Sequence, residues 1–118
     1  MQDFKRLQVW QKAHRFVLAV YASTEKFPKE ERHALTAQLR RASVSMAANI
    51  AEGSSTGSKR EFARFLRISA ASASEVEYFS ILALDLGLLD KTTAEQWIHN
   101  ASEIRRMTLG LIASLSAK

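Results

Sequence analysis

Residues 38–53 read QLRRASVSMAANIAEG. Taken at steps of four and three, Leu35, Leu39, Ala42, Met46, Asn49 and Gly53 fall on one seam, because an α-helix returns to the same face every three to four residues. That seam is apolar apart from the Asn49 amide. One helical position away run Arg41, Ser45, Ala48 and Glu52, which sets an arginine and a glutamate on its flank. Polar groups taken out of water cost free energy unless they are paired. The stretch therefore predicts a core-facing helix whose polar flank needs specific partners.

Working outward, the same period recurs three more times. Upstream, Leu7, Trp10, His14, Val17, Tyr21 and Thr24 predict a first helix over residues 4–26, its stripe widened by Ala13, Phe16 and Val20. Pro28 stops it by forcing the preceding residue out of helical geometry. Glu30 and Glu31 complement the positive end of the second helix, which Gly53 is placed to end. Downstream, GSSTGS (residues 53–58) is a loop, and Ser58 with Glu61 has capping-box spacing. A third helix then follows Phe62, Leu66, Ser69, Ala73, Val76, Ser80 and Ala83, with Phe65, Phe79 and Leu82 beside them, until Gly87. Its middle, SAASAS (residues 69–74), carries only small side chains, so another helix can approach closely. Thr92 and Glu95 predict a second capping box, and Ala94, Trp97, Ala101, Ile104, Thr108, Leu111 and Leu115 the fourth helix. Its alternating steps of three and four are the period of left-handed packing. The expected fold is an all-α, up-down-up-down left-handed four-helix bundle forming one domain over residues 1–118.

A chain of 118 residues can bury a continuous core without disulfides or metal. Its 47% apolar and 25% charged content is that of a globular protein and excludes a disordered one. The absence of cysteine removes disulfides and thiolate zinc sites and fits a cytoplasmic protein. The N-terminal run MQDFKRLQVW carries charge where an export signal needs apolar residues. Uncharged runs at residues 42–51 and 107–117 are shorter than the ~20 residues of a membrane span. A net charge of +5 suits nucleic acid without identifying it.

Candidate sites follow from the charges. Lys59, Arg60, Arg64 and Arg67 open the third helix, and Arg60, Arg64 and Arg67 recur at steps of four and three. With Arg40 and Arg41 they predict a patch beside the serine-rich loop that phosphates would fit. The competing reading is a solvated helix face. Phe62 and Phe65 lie on or beside the core seam, so no base-stacking platform is expected. Arg41, Asn49, Glu52, Glu75 and Glu77 read as a buried polar set, with Arg41 paired to Glu75 across the second and third helices. Glu52 and Glu75 as an acid–base pair would lack a nucleophile, a metal motif and oxyanion donors, so a structural network is expected instead of a catalytic site. GSSTGSK (residues 53–59) is one residue short of a phosphate-binding loop and follows a helix, not a strand. Glu30 and His33 supply a single Glu-x-x-His spacing where a di-metal bundle needs two, so neither metal nor cofactor is expected. Val9, Leu18, Leu109 and Ile112 place apolar residues on extra faces of the first and fourth helices, which predicts a partner, most simply a second copy.

LQVWQKAH (residues 7–14), FPKEE (27–31), LTAQLRRASVSMAANIAEGS (35–54) and SKREFARFLRISAASASEVE (58–77) together resemble the four-helix bundle proteins also called 23S ribosomal RNA intervening-sequence proteins. The same fold serves the accessory variability determinant of diversity-generating retroelements. Asn49-Ile50-Ala51-Glu52-Gly53 is the most specific part of the match. Met46-Ala47 stands where many members carry an isoleucine-proline pair, and Ala71 where glycine is usual; both departures favour a straighter helix. The resemblance implies a left-handed bundle assembled as a ring-like homopentamer. It also implies a role with nucleic acid, and in the retroelement protein a reverse transcriptase as partner. The expectation is a non-enzymatic homo-oligomer whose basic surface contacts RNA, DNA or a nucleic-acid-processing protein. The alternatives are a purely structural scaffold and a metal-dependent bundle enzyme.

Overall fold

The computed structural model describes residues 3–116, which fold as four helices: α1 (Gln8–Thr24), α2 (Leu35–Ser54), α3 (Lys59–Asp85) and α4 (Lys91–Ser116). Short 3₁₀ turns at Phe4–Arg6 and Lys29–Glu31 precede α1 and α2. Among the described residues there is no strand.

Each boundary has a local cause. Asp3 accepts from the Lys5 amide at 3.1 Å and holds the first turn, after which extended Leu7 admits α1. The chain leaves α1 at Thr24, ahead of Pro28. α2 does not start directly beyond Pro28 as expected. Ala34, with φ −119° and ψ −108°, breaks the path and has no side chain to cap with, so the helix begins at Leu35, whose amide reaches Glu31 Oε1 at 3.4 Å. At α3, Ser58 Oγ accepts from the Glu61 amide at 3.2 Å. The capping box is only half made: Glu61 pairs forward with Arg64, and the Ser58 amide donates to the Thr56 hydroxyl at 3.3 Å. α3 ends as expected at Gly87 (φ +76°), where Leu88 N donates to Ala83 O at 2.8 Å and Gly87 N to Leu84 O at 3.0 Å, the paired bonds of a Schellman turn.

The cap of α4 is Asp90, not Thr92. Its carboxylate accepts from the Thr93 amide at 2.7 Å and from the Thr93 hydroxyl at 3.1 Å. The Thr93 backbone bond, then the Thr93 side-chain bond, hold the Asp90 pKa below the ordinary aspartate value. A depressed pKa means stability that is present above the ordinary aspartate range and lost as pH falls through the folded-state value. Asp90→Ala is therefore expected to be less stable than the parent at neutral pH, with the gap closing in acid. Parallel urea titrations across pH would show it, and a gap independent of pH would refute the cap.

Successive helices run antiparallel. Ser69 Oγ donates to Met46 O at 2.8 Å and the Ser45 and Ser72 hydroxyls share a 2.7 Å bond, so rising numbers on α3 meet falling numbers on α2. Lys12–Glu103 at 3.2 Å and Phe16–Trp97 at 5.8 Å between ring centres show the same sense for α1 and α4. Each helix touches its two neighbours and α1 closes on α4, which is an up-down-up-down bundle with extents of 47 × 21 × 20 Å. Small buried residues (Ala42, Ser43, Ala47, Ser69, Ala70, Ser72, Ala73) bring α2 and α3 close together. α1, joined through larger side chains, packs less densely.

The core contains Leu39, Met46, Ile50, Leu66, Val76 and Ile104, all essentially without exposure. On α3 every residue of the expected seam is buried, and Ala63, Ala70 and Ser72 are buried beside it. On α1 the buried edge is Val9, Ala13, Phe16, Val20 and Thr24, whereas His14 and Tyr21 are exposed. Val9, expected on an extra apolar face, is core, and Ile112 is half-buried; Leu18 and Leu109 do remain exposed. Gly53 lies inside the last turn of α2 and does not end it. A Cβ there would come within 2.8 Å of Phe65 Cβ and 3.0 Å of Phe62 Cδ1, so this glycine lets α3 approach.

Candidate nucleic-acid interface

The loop after α2 and the Ser58 cap together aim the first turn of α3 beside the end of α4. Lys59, Arg60 and Arg67 line one cleft of about 400 Å³ with Ala63, Leu115 and Ser116. Lys59 and Leu115 also border a second cleft of about 380 Å³ whose other walls include Gly53, Gly57 and Ser58. The two clefts are neighbours at this end of the bundle, with Lys59 and Leu115 common to both walls. Among the described residues, Lys59, Arg60 and Arg67 enter no ion pair. Three free cations spaced along one rim make a field that attracts anions.

The other cations expected in the patch lie elsewhere. Arg64 Nε pairs with Glu61 Oε1 at 3.0 Å, and its guanidinium lies 4.5 Å from the centre of the Phe65 ring. It flanks the cleft without lining it. Arg40 is near the start of α2, about 20 Å along the helix from the loop at 1.5 Å per residue. Its Nε donates to Thr24 Oγ1 at 2.9 Å and it stacks 4.4 Å over Tyr21, with Glu25 at a long 3.9 Å. Antiparallel packing carries Arg40 to the far end, so it does not join the patch. Phe62 is buried and Phe65 sits under Arg64, which leaves no ring for a base to stack on.

The polar set on α2 and α3 also sorts differently. Arg41, Glu52 and Glu75 are exposed, and Arg41 Nη1 reaches Gln38 on its own helix at 3.3 Å instead of Glu75. Positions 41 and 75 each precede a buried seam residue, Ala42 and Val76, and one residue is a 100° turn away from the core. Half-buried Asn49 keeps a structural role: its Nδ2 donates to Ser45 O at 2.9 Å and Ser45 Oγ at 3.0 Å, and Ser45 continues to Ser72. Glu77 is half-buried and pairs with Arg105 Nη1 at 2.6 Å across α3 and α4. Arg105, Ser45, Ser69 and Ser72 were not singled out by spacing as hydrogen-bonding partners. The small-residue run was the available signal for the serines, since helices in close approach bring short hydroxyls within reach. Among the described residues no group of three or more His, Asp or Glu side chains is arranged to hold a metal ion, and no helix is long and apolar enough to cross a membrane.

Fold and site thus define an antiparallel four-helix bundle with a cationic cleft at one end. The chain belongs to the 23S rRNA-intervening sequence protein family, whose model matches residues 5–110. It is similar in structure to a protein of unknown function from the S23 ribosomal protein family of Bacteroides thetaiotaomicron, at a TM-score of 0.79 and 22% identity, covering 88% of this chain and 97% of that one. At that identity the likeness speaks for the fold. Comparison with curated proteins gives no match.

Proposed function

We propose that this protein acts by binding, not catalysis: a cytoplasmic homo-oligomeric bundle whose α3–α4 cleft contacts the phosphate backbone of RNA or DNA. The observation that carries the reading is the trio Lys59, Arg60 and Arg67 around one cleft, none of which has an acidic partner among the described residues. Cations that contact phosphates release bound counterions, so affinity falls with salt. The lack of a stacking ring favours backbone contact over base reading. Assembly is supported by large apolar side chains left in water, Leu18, Val44, Ile68, Tyr78, Ile81 and Leu109. The pentamer implied by the family resemblance is the assembly we favour. The same exposed side chains support a second reading, a scaffold for another protein such as a reverse transcriptase.

The test is fluorescence anisotropy with a short duplex and a single-stranded RNA from low to high salt, on an oligomer sized by light scattering. The variant Lys59→Glu/Arg60→Glu/Arg67→Glu is expected to bind at least tenfold more weakly at low salt. Its salt slope should flatten by about 2–3, from roughly 0.7–0.9 per lost phosphate contact. Arg64→Glu should do less. Unchanged binding by the triple variant, or no salt-dependent binding by the parent, would leave the scaffold reading.

A further inference from the structure

The opposite end of the bundle holds a second cationic cleft, of about 280 Å³, between the end of α1 and the start of α2. Lys29, Arg32 and Arg40 line it together with Thr24, Glu25 and Thr36. The start of α2 is incompletely satisfied. Ala34 provides no side-chain cap, and the Leu35 amide takes the Glu31 carboxylate at 3.4 Å. Among the described residues no group accepts from the amides of Thr36 or Ala37. Helix-opening amides point along the axis at the positive end of the dipole, where an anion replaces a missing cap.

A separate observation falls on the same wall. Thr36 is only 7% exposed, and its Oγ1 is the one buried side-chain polar atom among the described residues without a hydrogen-bond partner. Buried Thr24, Ser43, Ser54, Ser69, Ser80 and Thr108 all find acceptors. A buried hydroxyl without a partner costs free energy, and a ligand oxygen would remove that cost. The acids nearby do not close the cleft to an anion. Glu25 is 3.9 Å from Arg40 and its side chain is 77% exposed, and Glu31 is engaged by Leu35.

We propose that this cleft binds a tetrahedral oxyanion, inorganic phosphate or a phosphomonoester, between Lys29, Arg32, the Thr36 hydroxyl and the free amides that open α2. Arg40 closes the inner side, already oriented by Thr24 and Tyr21. The site is independent of the α3–α4 cleft, which lies about 30 Å away, since α2 spans 20 residues at roughly 1.5 Å each.

The experiment is a titration of the full chain with inorganic phosphate and, in a second arm, methyl phosphate, at constant ionic strength set by chloride. Amide shifts of Thr36 and Ala37 and the melting temperature are followed. Saturable shifts at these two amides, with a rise in melting temperature absent in chloride, are expected in at least one arm. The stronger arm identifies free phosphate or an ester as the preferred source. Thr36→Val keeps the shape and removes the unpartnered hydroxyl, so it should be at least as stable as the parent without phosphate, yet bind tenfold or more weakly. Arg32→Ala, at an exposed position, should fold normally and weaken binding similarly. Linear shifts in both arms, or saturation unaffected by both variants, would overturn the site.

Discussion

Trp97→Ala is expected to cost about 3–5 kcal/mol, a large share of the 5–15 kcal/mol typical of a domain. Trp97 is 4% exposed and meets Phe16 of α1 in a tilted contact, ring centres 5.8 Å apart. Truncation removes the buried indole and its aromatic partner contact together. The effect should also be uneven across the molecule. α2 and α3 are locked by small-residue packing and by the Ser69–Met46 and Ser45–Ser72 bonds. α1 has no such bonds to α4. Its contacts there include the Phe16–Trp97 pair, within the shared core, and the half-exposed Lys12–Glu103 pair, which a surface environment makes weak. A cleft of about 160 Å³ already opens beside Phe16 and Trp97, so water can enter where the indole was. Hydrogen exchange should therefore show α1 opening ahead of the other three helices. A loss below about 1 kcal/mol in urea unfolding, or exchange rising evenly through all four helices, would mean that α1 is held some other way.

That asymmetry bears on what the sequence could disclose. The α3 seam was legible residue by residue, because Phe62, Leu66, Ser69, Ala73, Val76, Ser80 and Ala83 are the chain's clearest run at steps of three and four, and all are buried. α1 carries two apolar stripes, Leu7–Trp10–Val17–Tyr21 and Val9–Ala13–Phe16–Val20, and periodicity does not choose between them. Packing chose the second, leaving Trp10 half-buried against His14 and Phe4. The cleft shows the same division. Lys59, Arg60 and Arg67 belong to one helix, so their proximity follows from helical spacing. Arg40's distance from the patch follows from one helix too, since about 20 Å of α2 separates it from the loop; what no single helix discloses is its contact with Thr24 and Tyr21 of α1. Arg41 and Glu75 failed as a pair for a finer reason: each lies one residue, a 100° turn, from the seam.

Gly53→Ala tests the close approach of α2 and α3 at the loop end, and its sign is set by two opposed effects. Alanine is favoured over glycine inside a helix by about 1 kcal/mol. Against this, the new Cβ would lie 2.8 Å from Phe65 Cβ, 3.0 Å from Phe62 Cδ1 and 3.3 Å from the Phe62 carbonyl oxygen. Phe62 Cδ1 can turn aside. Phe65 Cβ and the carbonyl cannot, because both are fixed to the α3 backbone within two turns of its Ser58 cap. Relief requires α2 and α3 to part at the loop end, and forcing atoms into a packed contact of this kind costs about 1–3 kcal/mol. With an obstacle this rigid the clash should win, and the variant should be less stable despite its better helix former. Gly110→Ala supplies the control. Gly110 is exposed in α4 with no neighbour within 4 Å of an added Cβ, so the same exchange there should stabilise by up to about 1 kcal/mol. Opposite signs in parallel urea titrations are the expected result. Because Gly53 also borders the cleft that shares Lys59 and Leu115 with the cationic one, its substitution should weaken the nucleic-acid binding we propose without touching a charge. Equal stabilisation at both glycines would show that the α2–α3 end yields freely and that the cleft's shape is not set there.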